Sequence, residues 1–351
     1  METYRSPGWL AGEGPLGGHL QTIWPALFSA RYQGSAPNYR RERWTTPDDD
    51  FIDVDWQEAE AAAAGAPLPQ RPLLVMFHGL EGSSRSHYAQ AFAHWAREQG
   101  WHYAVPHFRG CSGEMNLAPR AYHSGDHEEI GWILQRMRAR HDGPLLAVGV
   151  SLGGNALLRW AEEAGSTASA CVRAVAAVSA PLDLAAGGEA IGRGVNRQIY
   201  TRMFLKSMLP KALKKAAQFP GLLDTAALHR VRDLYQFDNA FTAPLHGFRS
   251  TEDYWARCSS KPHLHCIQVP ALVVNARNDP FVPGHSLPAQ QEVGDFVTLW
   301  QPPHGGHVGF PRGRWPGHVL TLPEQVMGWM TGHAQVAIAA GQNGAPKTGG
   351  S

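Results

Sequence analysis

Ser151 stands in the string Gly149-Val150-Ser151-Leu152-Gly153-Gly154, just after the apolar run Leu145–Val150 and just before an amphipathic stretch. A strand that turns sharply into a helix leaves no room for side chains at the flanking positions, hence glycine. Such a turn presents the serine hydroxyl at the carboxyl edge of a sheet. The string alone is a weak signal, so its partners decide. A hydroxyl becomes a useful nucleophile when an imidazole takes its proton, and the imidazole needs a carboxylate to orient it. Asp279 follows the run Ala271–Asn275 and precedes Pro280, while His307 lies in Gly305-Gly306-His307-Val308-Gly309-Phe310, after Phe296–Trp300. Alone, Asp279 reads as a turn or cap residue before proline; beside the serine and histidine it reads as the orienting acid. His307 is preferred as base over His304, which sits next to Pro303 at a loop rim. The order Ser, Asp, His, each beyond a strand, points to acyl transfer.

That chemistry also needs amides that receive negative charge on the carbonyl oxygen. The backbone N–H of Leu152, next to the serine, is one candidate. Leu80, in His78-Gly79-Leu80-Glu81-Gly82 after the run Leu73–Phe77, is the other. His78 reads as a brace for that loop. Cys111 reads as a small buried thiol, Ser151 being better placed as nucleophile. Arg109, Glu114 and Asp126 read as polar contacts shaping a loop.

Positioning these groups requires a sheet whose carboxyl edges gather the loops. From Pro72 onward, short apolar runs alternate with amphipathic segments, the rhythm of a parallel sheet covered by helices on both faces. Expected strands are Leu73–Phe77, His102–Pro106, Leu145–Val150, Val172–Val178, Ala271–Asn275 and Phe296–Trp300. Expected helices are His87–Gln99, His127–Arg140, Leu152–Ala164 and Pro323–His333. Asp126 is expected to cap the second of these while Glu129 bonds back. Upstream, Arg41–Trp56 alternates around Thr46-Pro47-Asp48-Asp49-Asp50 as an antiparallel hairpin, joined to the sheet by an Ala-rich linker, Glu58–Pro69. The expected class is therefore α/β: residues 1–182 and 267–333 as one core, 183–266 as a helical cap, and 334–351 as a fraying tail.

Composition bounds the partners. The chain has 31 Lys and Arg against 30 Asp and Glu, so no chain-wide field favours nucleic acid. Apolar runs stop short of the roughly 18 residues of a membrane span, and the N-terminus lacks a secretory pattern. A cytoplasmic location is the expectation. Four scattered cysteines read as reduced thiols, and Cys258, His263, His265 and Cys266 lack the usual zinc spacings. No metal and no cofactor is expected; Leu264 and Ile267 are expected to pack while the histidines lie outside.

Residues 190–223 hold seven basic residues and no acidic one. Ile191, Val195, Ile199 and Met203, with Phe204 and Met208, recur at helical spacing until Pro210 is expected to stop the run. This reads as a basic amphipathic helix: a lid over an acyl pocket with Ile199, Met203 and Phe204 touching substrate, an ordinary packed cap helix, or a weak peripheral membrane contact.

Further strings carry a family likeness: Gly18-His19-Leu20-Gln21-Thr22, Phe108-Arg109-Gly110-Cys111-Ser112-Gly113-Glu114 and Tyr122-His123-Ser124-Gly125-Asp126, with the serine, histidine and Leu80 strings above. Together they resemble the YheT-like α/β-hydrolases, a group of esterase or lipase type. The group often has two acidic residues before the proline of the acid loop; here the first is Asn278, which leaves Asp279. The resemblance implies the α/β-hydrolase fold and hydrolysis of small-molecule or lipid esters. Acyl transfer to an alcohol, and a non-catalytic ligand-binding protein on the same fold, remain the alternatives. A dehalogenase is disfavoured, because its nucleophile is an aspartate.

Overall fold

The apolar runs become one eight-stranded sheet: β1 Arg40–Thr45, β2 Phe51–Gln57, β3 Leu73–Phe77, β4 His102–Pro106, β5 Leu145–Val150, β6 Ala174–Val178, β7 Ala271–Val274 and β8 Val297–Trp300. This is a computed structural model that describes residues 3–10, 16–59 and 70–342, with side chains described up to His333. The order across the sheet is β1-β2-β4-β3-β5-β6-β7-β8. β2 runs antiparallel to both neighbours, and all other pairs are parallel. The expected hairpin is β1 with β2; most of the expected Ala-rich linker, residues 60–69, lies outside the described residues.

Strands β3, β5, β6 and β7 are buried along their whole length, which is why they read as continuous apolar runs rather than alternating ones. Side chains still alternate between faces. Leu73, Val75 and Phe77 join one core with Ile130, Leu134 and Leu157. Leu74 and Met76 join the other with Phe92, Val326 and Met330. The covering helices are α1 Gly17–Leu27, α2 His87–Glu98, α3 His127–Arg140, α4 Leu152–Ala164 and, at the end, Thr321–Gln342. The last runs beyond the expected His333, so residues 334–342 are helical rather than a tail; residues 343–351 lie outside the described residues. No helix among the described residues is long and apolar enough to cross a membrane.

Three expectations are corrected. Asp126 does not cap α3 with its side chain: its carboxylate takes both contacts from Arg120 Nη2, at 2.7 and 2.8 Å, and Glu129 takes Arg109. A guanidinium outcompetes a single backbone amide for a carboxylate. The expected basic helix is two. α5 Leu184–Ile191 stops before Gly192 and Gly194, the latter at φ 53°; the helix resumes at Gly194–Asn196 and passes through a wide π-helical turn, Arg197–Thr201, into α6 Arg202–Gln218. Pro210 does not stop α6. It is exposed, so water can take the carbonyl left without an N–H donor.

Between β6 and β7 the described chain is helical, and it is tied to the body by buried charge. Lys215 of α6 is fully buried and donates to the carbonyls of Asn116 and Ala118 at 2.8 and 2.9 Å. Burial holds its amine below the usual lysine range.

Candidate active site

Ser151 occupies the turn between β5 and α4 at φ 53° and ψ −120°, a backbone region that side chains other than glycine's rarely adopt. Its N–H donates to Val178 O at 2.8 Å, pinning the turn to β6. The flanking glycines are dictated by space. A Cβ on Gly149 would meet Gly153 O at 2.4 Å, and one on Gly153 would meet His78 O at 2.4 Å. The loop after β3 abuts the same turn, since a Cβ on Gly79 would stand 3.1 Å from Ser151 Cβ.

Asp279 and His307 meet at the carboxyl edges of β7 and β8. His307 Nδ1 donates to Asp279 Oδ2 at 2.9 Å, while Asp279 Oδ1 accepts the Phe281 and Val282 amides at 2.8 and 3.3 Å. With Nδ1 committed to the carboxylate, Nε2 is the ring nitrogen left for proton exchange. The Phe281 ring packs on the imidazole at a centroid distance of 4.2 Å.

Ser151, His307, Leu80, Leu152 and Phe204 line one cavity of about 120 Å³. Its other walls are mostly apolar, including Ile191, Met208, Trp255 and Val282; Asp238 is the one carboxylate in the lining. His304 is outside the lining. So are Ile199 and Met203, which correct the sequence expectation: they stand 42% and 54% exposed, because the wide turn at Arg197–Thr201 breaks the stripe they were read into. A wider groove of about 580 Å³ lies between Asp183, Arg193, Tyr235 and Glu252, and it holds neither Ser151 nor His307.

Of the loop after β3, the Gly79 amide donates to Tyr88 Oη at 2.9 Å, the Glu81 amide to Tyr122 Oη at 3.0 Å, and the Gly82 amide to Gly79 O at 2.9 Å. The Leu80 amide has no acceptor among the described residues. Leu152 is the first residue of α4, where an amide has no intrahelical acceptor. His78 braces this loop: Nδ1 donates to Gly79 O at 2.8 Å and Nε2 accepts the Phe108 amide at 3.1 Å. Burial pushes its pKa down to about 3, so the ring stays neutral. Burial also pushes the Cys111 thiol up to about 12, which leaves it no thiolate to compete with the serine.

Four supporting residues were not recognised from residue types and spacing. Gln21 Oε1 accepts the Gly305 amide at 2.8 Å and Asn278 Nδ2 at 3.0 Å; Asn278 Oδ1 accepts the Gly306 amide at 3.0 Å. Thr22 Oγ1 accepts the His307 amide at 2.9 Å, and Ser179 Oγ accepts the Val308 amide at 3.1 Å. Helix α1 therefore stitches the acid loop to the base loop. The one signal was the string Gly18 to Thr22; Asn278, read as a departure from the family pattern, is part of the stitch.

The sequence profile of the alpha/beta hydrolase fold matches residues 72–313. The chain is 38% identical over 316 residues to the candidate esterase YheT of Escherichia coli (strain K12), covering 89% of this chain and 90% of that one. This chain is a YheT-like α/β-hydrolase. The hydrolase is also 30% identical over 281 residues to phospholipase ABHD3 of Mus musculus, covering 79% and 68% of the two chains. Among solved structures, mouse alpha/beta hydrolase domain-containing protein 10 shares the fold of this hydrolase, with TM-score 0.51 and 13% identity over 83% of this chain and 98% of that one. Among the described residues of the hydrolase, no group of three or more His, Cys, Asp or Glu is arranged to hold a metal ion. Leu264 and Ile267 are buried, and His263 and His265 exposed, as expected.

Proposed function

We propose that the chain hydrolyses carboxylic esters through an acyl-enzyme on Ser151. His307 Nε2 takes the hydroxyl proton as Ser151 Oγ attacks the ester carbonyl. The Leu80 and Leu152 amides receive the negative charge on oxygen, each donor being worth on the order of 10²–10³ in rate. Collapse breaks the acyl–oxygen bond, and the alcohol leaves with the proton from His307. Water, deprotonated by the same nitrogen, then releases the acid and restores Ser151. Asp279 holds Nδ1 and offsets the charge of the imidazolium.

The observation that carries this reading is the His307–Asp279 bond at 2.9 Å on a cavity wall shared with Ser151. Residues 183–266 act as its cap, since they contribute Ile191, Phe204, Met208 and Trp255 to the lining. A cavity of about 120 Å³, well below the roughly 300–1,000 Å³ of drug-sized sites, suits short or medium acyl chains. The names of the relatives, esterase and phospholipase, agree with esters of lipid type. A fluorophosphonate probe should label Ser151, and Ser151→Ala should lose both labelling and turnover of p-nitrophenyl esters while folding normally. Full turnover by that variant overturns the assignment.

A further inference from the structure

Helix α1 buries Gly17, Gly18, Gln21, Thr22 and Pro25, and of these Gln21 and Thr22 bond to the acid and base loops. Its opposite face carries Leu16, Leu20 and Leu27, which stand 59%, 41% and 62% exposed, followed by Phe28 at 56%. Water does not select such a face. It continues on two sides. Trp24 packs on Phe28 and on Trp315, itself 68% exposed, at centroid distances of 4.7 and 6.2 Å. On the other side His19 stacks on Tyr200, a buried residue of the cap whose neighbours in sequence, Val195, Ile199 and Met203, stand exposed. Eight of the twelve exposed large hydrophobics among the described residues belong to these three segments.

Charge is segregated in the same place. The chain as a whole is nearly balanced, yet residues 16–41, 190–223 and 296–323 hold no acidic residue. Arg197, Arg202 and Lys206 stand exposed beside the cap hydrophobics, and Arg312 and Arg314 beside Trp315. Arg193 is paired with Glu189 at 3.2 Å. Exposed leucines and a tryptophan, flanked in sequence by cations that have no ion pair among the described residues, are the chemistry of an amphipathic surface lying on anionic headgroups.

We infer that α1, the Arg197–Met203 turn of the cap and the Trp315 loop form one docking face for an anionic lipid bilayer. The face lies next to the cavity. Met203 points outward while Phe204, the next residue, lines the cavity, and Tyr200 packs on Phe281, which packs on His307. Docking would bring lipid esters to the cap edge without a membrane span. The inference concerns binding alone and does not require Ser151 to react.

Flotation of the full chain with vesicles of equal parts phosphatidylglycerol and phosphatidylcholine, against phosphatidylcholine alone, tests it. The chain should float with the anionic vesicles, and the bound fraction should fall by about tenfold between about 0.01 and about 1 M ionic strength. Leu27→Glu with Met203→Glu should cut the bound fraction by about tenfold. Arg197→Gln with Arg202→Gln, which leaves the apolar face intact, should cut it on anionic vesicles. Leu27→Glu alone should keep the wild-type melting midpoint and short-ester turnover. Ser151→Ala should float like the wild type, so failure of the hydrolytic reading would leave this result unchanged. The inference is overturned by a chain that does not float with anionic vesicles, by charge variants that float undiminished, or by a wild-type dimer that Leu27→Glu splits, since the face would then cover a second copy.

Discussion

The backbone N–H of His307 donates to Thr22 Oγ1 at 2.9 Å, so the proposed base hangs from a helix 285 positions earlier in the chain. Neither residue is a neighbour of the other through the sheet. Thr22 Oγ1 also donates to Gly18 O at 2.7 Å, which fixes the hydroxyl with its lone pairs toward the histidine loop.

Thr22→Val keeps the side-chain shape and removes that acceptor. Leaving the His307 amide unpaired should cost about 1–3 kcal/mol in urea unfolding. A shifted imidazole should lower kcat by about tenfold with little change in KM. An unchanged kcat would show that the loop holds His307 without α1.

Ser151 sits at φ 53°, where a Cβ is strained by about 1–3 kcal/mol. Ser151→Gly should therefore abolish ester turnover and raise stability by about 1 kcal/mol, read from the denaturant midpoint. A loss of stability would mean that the hydroxyl contributes more to the fold than the turn costs it.

Lys211 of α6 reaches across to Glu81 at 2.8 Å, next to the Leu80 amide, and Glu81 also accepts the Tyr122 hydroxyl at 2.8 Å. Glu81 itself holds φ 56°. Lys211→Met should alter stability by less than about 1 kcal/mol, as the pair is partly exposed. The same change should lower kcat several-fold by loosening the loop that offers Leu80. Equal kcat in variant and wild type would confine the pair to cap packing.

Asp238 lines the cavity, and burial pushes its pKa from 3.8 up to about 6, against the hydroxyl of Thr242 and the indole N–H of Trp255, which favour the charged form. The sign follows from the raised value. Between pH 4 and 6 the folded chain binds more protons than the unfolded one at this group, so its contribution to stability falls as pH rises through that window and stays unfavourable above it. Asp238→Asn should flatten that part of the melting-midpoint profile. A profile with the wild-type slope would place the transition elsewhere.

Much of the architecture was legible because periodicity is local. Buried parallel strands such as Leu145–Val150 show as unbroken apolar runs, and the glycines around Ser151 announce a turn too tight for side chains. The Ser, Asp and His strings could be placed at strand ends for the same reason. What resisted was any feature in which remote segments compete. Asp126 and Glu129 look like a capping box until Arg120 and Arg109 arrive with stronger contacts. Val195, Ile199 and Met203 look like a lid stripe until Gly192, Gly194 and the wide turn rotate them outward.

Sequence by itself determined the class of sheet, the turn that strains Ser151, and the candidates proposed as acid and base, because each is written within a few neighbouring residues. Only the tertiary structure decided which helix supports the histidine loop, which cap side chains reach the cavity and which stand exposed instead. Those outcomes depend on contacts across hundreds of positions, whose relative strength is set by burial and geometry rather than by spacing along the chain.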